Sequence, residues 1–221
     1  MRSPPSGQDA PEALTGHGSK MDRVYRWTRY VYDWTRPLFL FGRRGLVDGI
    51  DPPTGGRVCE MGCGTAYNLI RLARRRPDLR LLGVDASEAM LELARRNVAR
   101  AGLASRITLV QGFAESYRPA DPVDAVLFPY SLSMMPYPAQ ALTNAAGWLA
   151  PRGCLAVVDF GDLAGWPRVL RAPVLRFLEA FEVTPRPELF AQDAPAGLVK
   201  RVNWRLGRYW VTAAFTSPQR S

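Results

Sequence analysis

The chain has 221 residues, 47% hydrophobic and 22% charged, proportions that suit one globular domain with an ordinary core. The formal charge of +9 comes almost wholly from arginine, since Lys20 and Lys200 are the only lysines. The arginines are scattered and form no block of the kind that marks a nucleic-acid tail; composition alone does not choose between a codon bias toward arginine and attraction to an anionic surface, either nucleic acid or membrane. A single histidine, His17, and three cysteines without CxxC spacing argue against a histidine metal site, a zinc site or a histidine-based triad. With no apolar run of about 18 residues and no visible secretory signal, the chain reads as cytoplasmic, and Cys59, Cys63 and Cys154 read as small buried hydrophobes.

Residues 1–20 are rich in Pro, Gly, Ser and Ala and read as a disordered leader, because they hold too little apolar surface to order themselves. Residues 21–50 alternate aromatics (Tyr25, Trp27, Tyr30, Tyr32, Trp34, Phe39, Phe41) with Arg23, Arg26, Arg29, Arg36, Arg43 and Arg44. This segment predicts a helical cap of two helices broken at Pro37, which cannot continue a hydrogen-bonded helix. Arginine among rings suits core packing, a lipid-headgroup interface or a cation pocket.

From Arg57 onward, within a domain taken as residues 51–221, apolar runs alternate with helical periodicity. Strands are expected at Arg57–Met61, Arg80–Asp85, Arg106–Val110, Asp124–Phe128 and Cys154–Phe160. Helices are expected at Thr65–Arg76, Ser87–Ala101 and Pro138–Leu149, with a turn at Pro151-Arg152-Gly153. Ser87 reads as an N-cap, with Met90, Leu91, Ala94 and Val98 as a buried stripe. Continuous apolar strands between helices mean a parallel sheet covered on both faces. Helices follow at Arg168–Phe181 and Pro187–Leu198, then strands Val199–Arg205 and Arg208–Phe215, close enough to form a hairpin.

The informative stretch is Val58-Cys59-Glu60-Met61-Gly62-Cys63-Gly64-Thr65-Ala66. A strand ends in an acid, two glycines allow positive φ and close ligand approach, and a helix N-terminus supplies unpaired N–H groups. A second strand ends at Asp85, where a carboxylate can accept from both ribose hydroxyls of a nucleoside ligand. The third glycine of a dinucleotide loop, due near Tyr67, is missing. Glu60-x-Gly62-x-Gly64 followed by Val84-Asp85-Ala86-Ser87-x-x-Met90-Leu91 resembles class I methyltransferases that use S-adenosylmethionine.

That resemblance implies an α/β, Rossmann-like fold: a mostly parallel seven-stranded sheet with helices on both faces and a closing antiparallel hairpin. It implies S-adenosylmethionine as cofactor, with Gly62, Cys63 and Gly64 under its amino-acid part and Glu60 orienting the loop or reaching the ligand amine. It implies Asp85 at the ribose beside Ala86, Met90 as core or adenine wall, and Phe113, Ala114 and Glu115 near adenine. The family commonly has Asp at 113; Phe113 offers only its backbone N–H, with Glu115 as the substitute acceptor. Ala66 stands where a glycine is usual and narrows the loop.

Five further stretches, Tyr32-Asp33-x-Thr35-Arg36, Gly42-Arg43, Tyr130-Ser131-Leu132-Ser133-Met134-x-Pro136, Val158-Asp159-Phe160-Gly161 and Phe181-x-Val183-Thr184-Pro185-Arg186, are similar to the bacterial betaine-lipid N-methyltransferases. Those enzymes trimethylate the amine of diacylglyceryl-homoserine. The similarity implies Tyr130 as the catalytic-site ring, with Tyr32, Arg36, Arg43, Ser133 and Asp159 around the substrate. It also gives the basic, aromatic N-terminal segment a place on an anionic membrane. The alternatives are a soluble small molecule or quinone precursor as acceptor, or a methyltransferase fold that only binds. RNA is disfavoured by the scattered arginines, and the sequence sets no oligomeric state.

Overall fold

A computed structural model describes residues 40–217 of the chain. The expected leader, most of the expected cap, and Tyr32 and Arg36 lie outside the described residues. Seven strands form one sheet in the order β3-β2-β1-β4-β5-β7-β6. They are β1 (Arg57–Met61), β2 (Arg80–Asp85), β3 (Ile107–Gln111), β4 (Val123–Pro129), β5 (Leu149–Phe160), β6 (Val199–Arg205) and β7 (Trp210–Thr216). β7 runs antiparallel to both its neighbours and the other six strands run parallel. The sheet is thus the Rossmann-like arrangement with a closing hairpin that the sequence led us to expect.

The helices are α1 (Arg43–Asp48), α2 (Tyr67–Arg75), α3 (Glu88–Arg100), α4 (Pro138–Ala146), α5 (Arg168–Ala180) and α6 (Glu188–Ala191). Ser87 caps α3 by accepting from the Met90 N–H at 3.3 Å, and Pro138 opens α4, where its missing N–H costs nothing.

The central strands β1 and β4 are almost wholly apolar because each is buried on two faces, whereas the edge strand β6 alternates exposed and half-buried residues. In β4, Ala125 and Leu127 join a cluster with Leu69, Leu72 and Ala73 of α2 and Leu91, Ala94 and Val98 of α3. Their neighbours Val126 and Phe128 join the opposite cluster with Ala141, Leu142 and Ala145 of α4. The two-residue period of the strand thus feeds both layers.

Two expectations are corrected. The predicted helix Pro187–Leu198 is only the four-residue α6, followed by a 3-10 turn at Pro195–Gly197. Pro195 has no N–H and forces the preceding Ala194 into an extended conformation, φ −68° and ψ 140°, so no helix crosses it. The predicted turn at Pro151-Arg152-Gly153 lies inside β5 instead. The chain accommodates it by a register shift against β4 and a positive φ of 66° at Arg152.

Candidate functional site

The strand order reverses between β1 and β4, and a cleft opens there at the carboxyl ends of the strands. One half of its wall comes from the loops after β1, β2 and β3: Gly62, Gly64, Asp85, Ala86 and the stretch Gly112–Glu115. The other half comes from the end of β4 and the turn after it, with Leu40 beside it: Pro129, Tyr130, Ser131 and Met134–Pro136.

The loop after β1 is held from two sides. Gly62 and Cys63 both donate to the Val84 carbonyl, at 2.8 and 3.1 Å. The Gly64 N–H donates to Asp85 Oδ2 at 2.7 Å, while Asp85 Oδ1 accepts from the Ser87 N–H at 3.0 Å. Asp85 is therefore fixed at the end of β2 with its carboxylate at the cleft wall. Gly62 sits at φ 69°, and a Cβ there would stand 2.6 Å from Ser131 Cβ. Only glycine lets the β1 loop and the β4 end approach this closely. A glycine-lined backbone edge with a carboxylate one strand away fits a nucleoside carrying an amino-acid tail.

Glu60 lies beneath the loop, outside the cleft wall. It is 1% exposed, and its Oε1 accepts from Asn68 Nδ2 at 2.7 Å. It ties β1 to the first turn of α2. Asn68 was missed in the sequence; its only signal is an amide beside the apolar stripe of a helix. Asn97 adds a second brace, donating to the Thr65 carbonyl at 3.2 Å. The Cys63 side chain turns into the core, where burial pushes its thiol well above the usual range. Met90 is also buried, on α3 and away from the cleft wall.

Phe113, Ala114 and Glu115 reach the cleft. Glu115 is 4% exposed. Its Oε1 accepts from the Tyr137 N–H at 3.3 Å, and its carbonyl accepts from Gln140 and Asn144 of α4. The acidic group is thereby held at the wall in a segment where Phe113 has no acceptor side chain.

On the opposite wall Tyr130 takes φ 58°. Its hydroxyl donates to the Phe41 carbonyl, and its ring meets Phe160 edge-on at 4.7 Å. Burial, with the Asp159 charge adding to it, pushes the phenol far above its ordinary value. Tyr130 is thus a neutral ring that ties the Leu40–Phe41 segment to the cleft. Ser133 and Asp159 sit behind this wall, not in it. Asp159 is 2% exposed; Oδ2 accepts from the Ser133 N–H at 3.0 Å and Oδ1 from the Phe160 N–H at 2.8 Å. Burial raises its carboxyl to about 6. These bonds give it the loop-capping position. Arg43 also stands outside the cleft wall, its guanidinium 5.4 Å from the Tyr67 ring centre.

Residues 58–153 match the family model for a methyltransferase domain. The chain is 30% identical over 154 residues, 66% of its length, to the ubiquinone/menaquinone biosynthesis C-methyltransferase UbiE of Geobacter sulfurreducens, of which it covers 60%. It is 31% identical over 191 residues, 86% of its length, to the trans-aconitate 2-methyltransferase of Methylobacterium nodulans, of which it covers 66%. The chain therefore spans no more than about two thirds of either relative. Among solved structures it superposes on the phosphoethanolamine N-methyltransferase 2 of Haemonchus contortus in complex with S-adenosyl-L-methionine. There the TM-score is 0.75 at 15% identity, covering 92% of this chain and 60% of that one.

Proposed function

We propose that this chain, which belongs to the class I S-adenosylmethionine-dependent methyltransferases, methylates a small-molecule acceptor held against the β4 side of the cleft. The observation that carries this reading is the division of the cleft into two unlike walls. The β1–β3 wall is glycine backbone and carboxylate, the chemistry of a cofactor seat. The β4 wall is Tyr130, Met134, Met135 and Pro136, an apolar surface that excludes water from an acceptor.

Bound S-adenosylmethionine supplies a methyl group already activated by its sulfonium. What the protein must then do is position and dry the acceptor. Gly62 and Gly64 leave space for the amino-acid tail, Asp85 accepts from the ribose, and Glu115 accepts at the base. Tyr130, neutral and already donating to Phe41, acts as a wall and not as a proton carrier. The acceptor therefore brings its own nucleophile.

Relatives named for quinone-precursor and trans-aconitate methylation favour a soluble or quinone-like acceptor. The amine of diacylglyceryl-homoserine is the second reading. It is supported by the motif run through Tyr130, Asp159 and Phe181–Arg186 and by an exposed apolar rim beside the acceptor wall. The test offers labelled S-adenosylmethionine with a quinone precursor, a small polycarboxylate or the lipid amine in micelles. Label in either of the first two supports the main reading. Label only in the lipid moves the acceptor to the second. Calorimetric binding without transfer to any of the three supports a binding protein.

A further inference from the structure

Among the described residues, most of the large apolar side chains that are exposed lie at one end of the sheet. Phe41, Tyr67, Tyr137, Val169, Leu170, Phe177 and Leu206 are 44–78% exposed, and they belong to segments at or beside the carboxyl ends of the strands; Val199, 46% exposed at the start of β6, stands at the other end. Four of them form a ledge on the acceptor side. Helix α5 leaves the carboxyl end of β5, and the β6–β7 turn lies beside its start. Trp166 Nε1 donates to the Leu206 carbonyl at 2.8 Å and the Gly165 N–H donates to the Gly207 carbonyl at 3.1 Å.

α5 carries two apolar stripes. Val174, Leu175 and Leu178 pack inward. At about 100° per residue, Val169, Leu170, Pro173 and Phe177 fall within an outward arc of about 100°. Val169 is 78% exposed and Leu170 55%. A helix with one buried face needs no second one, and clustered exposed apolar surface marks a contact. Arg176 borders this outer stripe, with Arg168 and the exposed Glu179 farther round on the same side, and Arg205 ends β6; none of the three arginines makes an ion pair among the described residues. The ledge adjoins the cleft, because the Thr184 N–H after α5 donates to the Ser133 carbonyl at 2.9 Å and Phe41 packs 5.9 Å from Tyr209.

We propose that the outer face of α5 and the β6–β7 turn form the surface by which this protein rests on an anionic lipid bilayer. Apolar side chains enter the headgroup region while unpaired arginines meet lipid phosphates. No helix among the described residues is long and apolar enough to cross a membrane, so this contact is peripheral. The acceptor wall then faces the bilayer, and an acceptor dissolved in or anchored to lipid enters without crossing water. The basic character of the ledge favours lipid phosphate over the arginine-rich residues 21–39 or a second copy of the ledge.

The test is sedimentation of the full chain at low salt with vesicles of phosphatidylcholine alone or in equal parts with phosphatidylglycerol. Binding to the mixed vesicles should exceed binding to the neutral ones by about tenfold or more. The pair Val169→Asp, Leu170→Asp and the pair Arg168→Glu, Arg176→Glu should each lose about tenfold, with S-adenosylmethionine affinity by calorimetry unchanged. No preference for anionic vesicles, or ledge variants that bind as the wild type does, overturns the proposal. So does a dimer in sedimentation velocity that the Asp pair dissolves, which assigns the ledge to a second copy. The readout needs no turnover, so a negative result leaves methyl transfer standing.

Discussion

The two ends of the sheet are built on opposite terms. At the amino ends, polar groups are paired. Arg57 bridges Asp121 while its N–H donates to Asp124. Arg76 bridges Asp78, which also accepts from the Gly55 N–H. Arg106 donates to the carbonyls of Ala73, Arg76 and Leu79. At the carboxyl ends, backbone strain collects instead. Ala66, Tyr130, Leu163, Leu206 and Arg208 all take positive φ, each in a segment that follows a strand, against Arg152 alone among the described non-glycine residues at the amino ends, and most of the exposed apolar side chains lie at the same carboxyl end. Connections at the amino end have only to close; those at the carboxyl end hold backbone and side chains in place for a ligand, and conformations costing about 1–3 kcal/mol each survive there.

The comparison is tested most severely at Gly62. Gly62→Ala puts a methyl group 2.6 Å from Ser131 Cβ at a φ of 69°, and neither backbone has a flexible side chain to yield. The expected loss is about 2–4 kcal/mol in chemical denaturation, with S-adenosylmethionine binding lost in calorimetry. A variant that keeps both would mean the loop is not the tight seat described above.

Asp159 sharpens the same contrast through pH. Its carboxyl titrates near 6 in the native protein against an ordinary 3.8. Between those values the folded chain holds a proton that the unfolded chain has released. The unfolded state therefore binds fewer protons, and stability falls as pH rises through the window. The drop is on the order of 2–3 kcal/mol. Denaturation of the wild type and Asp159→Asn at pH 4 and pH 7 isolates it. The wild type should lose about that much relative to the variant, and parallel curves would show that Asp159 stays ionised throughout.

Much of this asymmetry was legible in the sequence. The central strands were readable because burial on both faces leaves nearly unbroken apolar runs, and Gly62, Gly64 and Asp85 because turn and carboxylate recur at fixed spacing after a strand. What was hidden depends on contacts across the chain. Nothing local reveals that Ser131 stands opposite Gly62, or that Asn68 locks Glu60. Asp159 was expected around the substrate, as the motif similarity implied. In a strand buried on both faces the sequence pattern does not say which way the carboxylate turns, and it turns to the Ser133 and Phe160 amides. The helix predicted over Pro187–Leu198 failed on the conformational demand of Pro195, which the apolar periodicity around it had masked.

A smaller effect is expected at Ala66, which takes φ 62° as the N-cap of α2 without a side-chain cap. Ala66→Gly removes a left-handed Cβ penalty of about 1–2 kcal/mol and adds unfolded-state entropy of about 0.5–1 kcal/mol. The net gain in denaturation is then about 0.5–1 kcal/mol. A loss would mean the alanine methyl, fully buried in the core beneath the loop, contributes more by packing than its backbone costs.

The amino end gives the smallest effect, and it is the control for all the others. Arg57 and Asp121 form an ion pair with side chains 36% and 60% exposed. Exposed pairs lose most of their attraction to solvent screening and to the entropy of two long side chains, so Asp121→Ala should change stability by no more than about 0.5 kcal/mol. Arg57 keeps its strand position because its N–H still donates to Asp124 Oδ2 at 2.8 Å. S-adenosylmethionine affinity by calorimetry should not move, since the pair lies a full strand length from the cleft. A measurable loss of affinity from this variant would mean that the strands transmit strain between the two ends, and the division of labour drawn above would fail.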